Sequence, residues 1–234
     1  MRRARPMLIG HRGAPRERPE NTLPSFLRAL ELHADGIELD VHCTIDRVVV
    51  VHHDEIPRAT PPSGRLAGKR IDALTFDELQ GFSVRGLALI STLAEALAVI
   101  KGRADVFIEL KAAGIEREVV AQIRASIAPA RCAVHSFDHA QVARARALAP
   151  EIRGGILFDR TVADVASAMR ASDALDVWPS REHVTETLVR DVHDAGGRVI
   201  PWTVNDGAQA RALADIGVDG LCTDFLSVLE SALG

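Results

Sequence analysis

The stretch 36-GIELDVHCTIDRVVVVHHDE-55 opens as a β-strand with an acidic face. Ile37, Leu39 and Val41 alternate with Glu38 and Asp40. Side chains along a strand point to opposite faces in turn, so the two acids share one face. Neighbouring carboxylates repel each other and are costly to desolvate, so a strand that carries such a pair needs something to offset the cost. In the second half, 47-RVVVVHH-53 reads as another strand. Only a few residues separate the two, and a parallel crossover takes a dozen or more. The pair is therefore expected to form an antiparallel hairpin turning at 44-TIDR-47. Opposed residue numbers would then sum to about 91, placing Asp40 against Val51 and Glu38 against His53.

Outward from this hairpin the chain alternates short apolar runs with segments of helical period. Strands are expected over 7–11, 36–41, 105–110, 131–137, 152–158, 175–179, 199–204 and 220–223. Helices are expected over 22–33, 92–101, 115–127, 139–148, 161–171, 184–195, 207–216 and 226–233. Asn21 and Asp138 read as helix N-caps. Alternating β and α units imply a parallel sheet covered by helices, and eight of them imply a closed (β/α)₈ TIM barrel in one domain over residues 1–234. After the hairpin, residues 55–90 contain Pro57, Pro61, Pro62, Gly64, Gly68 and Gly86. This reads as a short lid-like insertion with one helix near 76–81.

Composition narrows the function. The chain has 234 residues, 47% of them apolar, enough for one substantial core. Acids and bases are mixed along a net charge of −4, which disfavours a nucleic-acid surface. No apolar run reaches the length of a membrane span. Cys43, Cys132 and Cys222 are few and scattered, as in the reduced thiols of a cytoplasmic protein. Tyrosine is absent, leaving acid–base work to His, Glu, Asp or Lys.

In a (β/α)₈ barrel the site is built at the C-terminal ends of the strands. Those ends carry 11-HRG-13, Glu38 and Asp40, then Glu109 and Lys111 of 106-VFIELK-111, then 136-SF-137 and 202-WTVN-205. Glu38, Asp40 and Glu109 make an all-oxygen ligand set suited to one divalent cation, Mg²⁺ or Ca²⁺. Together with Arg12 and Lys111 these acids sum to −1, and one divalent cation turns the sum to +1, which attracts a phosphodiester. Arg12 and Lys111 then offer donors to phosphate oxygens. His11 and His53 are candidates for the acid and base that phosphodiester cleavage requires.

The stretches 10-GHRGAPRERPENTLPSF-26, 36-GIELDVHCTIDRVVVVHHDE-55, 108-IELK-111, 136-SF-137, 202-WTVND-206 and 217-GVDGLCTD-224 resemble the glycerophosphodiester phosphodiesterase family, in order and over nearly the whole chain. The resemblance implies a TIM barrel that hydrolyses glycerophosphodiesters to glycerol 3-phosphate and an alcohol with a divalent cation. It assigns the acid–base roles to the histidine of H-R-G and to the one directly before Asp in H-H-D, here His11 and His53. It puts the metal on Glu38, Asp40 and Glu109 and phosphate contacts on Arg12 and Lys111. The expected partner is a small-molecule glycerophosphodiester, and the expected assembly is a monomer or homodimer. The segment 56-IPRATPPSGRL-66 departs from the family pattern.

Other residues take more modest expectations. Phe137 and Trp202 would wall the glycerol or the leaving group. Glu20 would orient Arg12 or His11, and Asn21 would cap the first helix. His52 should point away from His53, His42 should lie beyond the mouth, and His135 should face the helix layer. Asp224 would anchor the last strand. Among rival functions, a lysophospholipase D-type enzyme would need an apolar groove at the mouth. A sugar-phosphate isomerase or aldolase would need glycine-rich late loops, whereas these read 205-NDG-207 and 224-DFL-226.

Overall fold

The computed structural model describes residues 5–57, 64–126 and 129–234. Residues 1–4, Pro61 and Pro62 of the insertion and the expected helix end at Ile127 lie outside that range. Eight parallel strands run β1 (Met7–Gly10), β2 (Gly36–Cys43), β6 (Asp105–Leu110), β7 (Cys132–Ser136), β8 (Arg153–Phe158), β9 (Asp176–Pro179), β10 (Arg198–Val199) and β11 (Gly220–Thr223). Their order β10-β9-β8-β7-β6-β2-β1-β11 is that of a barrel cut between β10 and β11. Backbone bonds close this seam, from Asp219 N to Val199 O, from Cys222 N to Pro201 O and from Val204 N to Cys222 O. The tenth strand is shorter than the expected 199–204 because Pro201 has no N–H to donate. The strands are thus wound as a nearly closed TIM barrel.

Helices α1 (Leu23–Glu31), α3 (Leu93–Ile100), α4 (Glu116–Ser126), α5 (His139–Leu148), α6 (Val165–Ser172), α7 (Glu186–Asp194), α8 (Gly207–Ile216) and α9 (Leu226–Leu233) follow the strands. Side-chain caps set several of their starts: Thr92 with Glu95 in a reciprocal box for α3, Asp138 for α5 and Asp206 for α8. The cap of α1 is Thr22, which accepts from Ser25 N. Asn21 is not a cap, and its amide is used elsewhere.

The period of two in the strands sorts the core into two parts. Ile37, Leu39, Val41, Val106, Ile108 and Val134 pack outward against the helices. Ile9, Phe107, Ala133, Leu157, Trp178, Ile200 and Cys222 fill the barrel.

The hairpin forms, with β3 (Val49–Val51) antiparallel to β2, but one residue out of the expected register. Val41 opposes Val51, and His52 N donates to Asp40 O at 3.0 Å. Arg47 is the reason: it sits at φ 62° in the left-handed region and lengthens the turn by one residue. The insertion holds α2 (Phe76–Leu79), where a helix was expected, and an unexpected small hairpin of β4 (Ser83–Val84) and β5 (Ala88–Leu89). It has its own core of Leu66, Ile71, Leu74, Leu79, Phe82 and Ile90 against Val50.

Candidate active site

The first strand ends in a turn that aims backbone at the acids. Arg12 at φ 54° and Gly13 at φ 90° reverse the chain, and a Cβ at Gly13 would lie 2.5 Å from Ser25 Oγ. The reversal lets Arg12 N donate to Glu38 Oε2 at 3.0 Å. The Arg12 side chain meets Asp40 Oδ2 at 3.1 Å through Nε and Glu20 Oε1 at 2.8 Å through Nη1. Asn21 lies against Asp40, its Nδ2 donating to Oδ2 at 2.8 Å. Glu38 and Asp40 are almost wholly buried on the inner face of β2.

Glu109 and Lys111 arrive from β6, which runs beside β2 with Glu109 next to Asp40. Lys111 Nζ donates to Glu109 Oε1 at 3.0 Å and lies 3.8 Å from Asp40 Oδ1. Burial raises the carboxyl pKa of Asp40, but Arg12 and Lys111 outweigh it and hold the pKa below the usual carboxylate range. Glu109 bears the remaining repulsion: burial first and the charge of Asp40 second push its pKa up to about 7.

Two histidines flank this group, each engaged at Nδ1 by a carboxylate. His11 Nδ1 pairs with Asp224 Oδ1 at 2.7 Å, and Asp224 is held by Asn205 Nδ2 at 2.9 Å. Burial lowers the pKa of His11, but the Asp224 bond and the charge of Glu38 reverse that, and the net shift is upward. His53 Nδ1 pairs with Asp54 Oδ1 at 2.8 Å, while its Nε2 lies 3.3 Å from Lys111 Nζ. His42 Nε2 meets the His53 carbonyl at 3.0 Å. His53 therefore returns to the mouth beside Lys111 despite the shifted hairpin register. His52 is buried away from it, its Nε2 without a partner, and burial lowers its pKa to about 4. Sequence pattern alone assigns Asp54 and Asp224 no catalytic part, although the H-H-D run and the end of the last strand place each of them beside the mouth.

His135 requires a correction. It does not face the helix layer. It pairs in register with Glu109 and lies stacked on Trp178, ring centroids 4.5 Å apart. Ser136 takes the outward position and donates to Leu110 O. The strand phase was read one residue off.

These side chains line one cavity of about 150 Å³, polar where His11, Arg12, Glu38, His53, Glu109, Lys111 and His135 meet and apolar at Phe137, Leu157, Trp178 and Trp202. Phe137 meets Trp202 edge to face at 5.7 Å, and Trp202 Nε1 donates to Trp178 O at 3.0 Å. Phe137 remains 45% exposed, so this pair forms a rim and not a core contact.

The residues suit a divalent cation. Glu38, Glu109 and His135 each offer a ligand atom, all within 4.8 Å of one another. Asp40 adjoins this group: its Oδ2 is held by Asn21 and Arg12, and its Oδ1, 3.8 Å from Lys111 Nζ, is the oxygen it could offer to a cation. A cation among the acids would also relieve the repulsion that lifts the Glu109 pKa.

Comparisons with known proteins bear on the same residues. The sequence profile of the glycerophosphoryl diester phosphodiesterase family matches residues 11–228. The glycerophosphodiester phosphodiesterase of Caldanaerobacter subterraneus subsp. tengcongensis is 32% identical over 233 residues, covering 93% of both chains. That of Bacillus altitudinis is 31% identical, covering 93% of this chain and 94% of its own. A solved phosphodiesterase of Oleispira antarctica, in complex with the product sn-glycerol-3-phosphate, is 27% identical with a TM-score of 0.86 over 97% of this chain and 96% of that one. A profile match from the first mouth histidine into the last helix, with relatives of this identity along nearly their full length, settles the family: the chain belongs to the glycerophosphoryl diester phosphodiesterases.

Proposed function

We propose that this enzyme hydrolyses glycerophosphodiesters to sn-glycerol 3-phosphate and an alcohol, with one divalent cation held by Glu38, Asp40 and Glu109 and with His11 and His53 as acid and base. Family membership makes it a phosphoric diester hydrolase. The observation that carries the finer reading is the pair of imidazoles, each fixed at Nδ1 by a carboxylate, on a cavity lined by two acids, Glu38 and Glu109, and two cationic side chains, Arg12 and Lys111. The Oleispira antarctica relative, a phosphodiesterase with sn-glycerol-3-phosphate bound, supports the product assignment.

When bound, the cation supplies positive charge to a non-bridging phosphate oxygen. Arg12 and Lys111 donate to the other phosphate oxygens, Arg12 from a guanidinium already aligned by Asp40 and Glu20. One histidine takes the proton of the attacking hydroxyl at Nε2, and the other gives a proton to the departing alkoxide. Asp224 and Asp54 hold the rings in place and stabilise each imidazolium as it forms. The nucleophile is water, in one step, or the substrate's own 2-hydroxyl, which leaves a cyclic phosphate that water then opens with the two histidines in exchanged roles. The Phe137–Trp202 rim would pack on the glycerol or the leaving group.

A lysophospholipid substrate is less favoured, because a cavity of about 150 Å³ with one aromatic rim offers little cover for an acyl chain. All three cysteines are free, in keeping with a reducing compartment such as the cytoplasm, and no described helix is long and apolar enough to cross a membrane. The test is release of glycerol 3-phosphate from glycerophosphocholine with Mg²⁺ or Ca²⁺ and then with EDTA. Metal-dependent release that collapses in His53→Ala is the expected result. Full activity in EDTA or in Glu109→Ala would overturn the metal part, and release of choline phosphate would mean that the other ester bond is cut.

A further inference from the structure

His135 is 1% exposed, and among the described residues its ring has no hydrogen-bond partner: Nδ1 is buried without one, and Nε2 is 3.8 Å from Glu38 Oε1, beyond hydrogen-bond reach. Its orientation is nonetheless fixed from two sides. The ring lies on Trp178 with 20° between planes, and Gly155 of the next strand leaves room for that stack. A Cβ at Gly155 would lie 2.9 Å from Trp178 Nε1 and 3.0 Å from His135 Cβ. A buried imidazole held this firmly, with its pocket-facing nitrogen unbonded and directed at an acid, is a polar group whose partner is still to be found.

We infer that His135 Nε2 is itself a ligand of the divalent cation, joining Glu38 and Glu109, whose ligand atoms lie with it inside 4.8 Å. The inference rests on the metal reading above and refines it. An all-oxygen set favours Mg²⁺ or Ca²⁺, whereas an imidazole in the shell shifts preference toward Mn²⁺, Co²⁺ or Zn²⁺. The alternative is that His135 only steadies Glu38 by donating a hydrogen bond to it, with no nitrogen reaching the ion.

Pulsed EPR on metal-free protein reloaded with Mn²⁺ separates the two. The expected result is imidazole nitrogen modulation in the wild type, lost in His135→Gln, whose amide can still donate to Glu38. Titration calorimetry with the metal alone should show Mn²⁺ affinity falling at least ~10-fold in that variant and Mg²⁺ affinity falling less than ~3-fold. If His135→Gln does not fold, His11→Gln and His53→Gln serve instead: the nitrogen signal must survive in both, and its loss in either one overturns the inference. Bound Mn²⁺ without nitrogen modulation overturns it while leaving the metal reading intact. A wild type that binds no ion at all overturns both.

Discussion

The two ends of this barrel are both charged, and they are built on opposite terms. Along β6 the inward positions are Asp105, Phe107 and Glu109, and along β9 they are Asp176 and Trp178, so an apolar middle layer separates a floor from a mouth. On the floor, the fully buried Asp176 accepts two bonds of 2.8 Å from Arg198, and Arg153 lies 3.8 Å away. Asp105 meets Arg131 at 3.2 Å and Arg153 at 3.5 Å. Each acid there has a guanidinium of its own. At the mouth, three buried or half-buried acids share Arg12 and Lys111, and Glu109 is left with a carboxyl pKa pushed up to about 7. Matched charges hold strands together, whereas unmatched ones would suit an ion or an anionic substrate.

Perturbing each end should give opposite outcomes. The largest effect belongs to the mouth: His53→Ala should lower kcat by ~10²–10⁴-fold, with a urea midpoint close to that of the wild type. Next comes the floor. Asp176→Ala strands the Arg198 guanidinium and should cost about 3–5 kcal/mol of unfolding free energy, while kcat/KM of the folded protein changes by no more than a few-fold. Equal loss of activity in the folded Asp176→Ala protein would erase the distinction between the ends.

His52, behind the mouth, gives an acid-side test. Its folded pKa of about 4 lies below its unfolded value of 6.5, so the unfolded chain takes up the proton first. The wild type should then lose about 3 kcal/mol relative to His52→Gln as pH falls from 6.5 to 4, read by denaturant titration at each pH. Glu109 has the reverse sign. With its folded pKa raised from 4.5, the cost is absent below that pH and grows as pH rises through about 7. In the chelated protein, Glu109→Gln should be more stable than wild type by of order 2 kcal/mol at pH 8 and equal to it at pH 4. A flat difference would mean that Lys111 neutralises Glu109 fully and that the mouth is as well matched as the floor.

Patterns along one strand or helix were legible because they are local. Glu38 and Asp40 share a face in any β-strand, and Asp138 caps α5 as its side-chain chemistry dictates. The errors arose wherever a second element set the answer. Asn21 is a good cap by type, but the buried Asp40 carboxylate claims its amide and Thr22 takes the cap. The hairpin register slipped because Arg47 adopts a left-handed conformation that nothing in its residue type requires. His135 was assigned to the wrong face because a period of two gives alternation without phase. Pairing with Glu109 fixes the phase.

The sequence by itself determined the order of β and α units, and with it the parallel barrel, since periodicity and crossover length depend only on neighbours in the chain. It also carried the motifs that mark the family. What only the tertiary structure decided is which charges meet: Asp224 at His11, Asp54 at His53, His135 beside Glu38, and the Asp176–Arg198 floor. Three of these four pairs join residues from different strands or strand ends, where the separation between side chains is set by register and barrel closure, quantities that no local stretch contains.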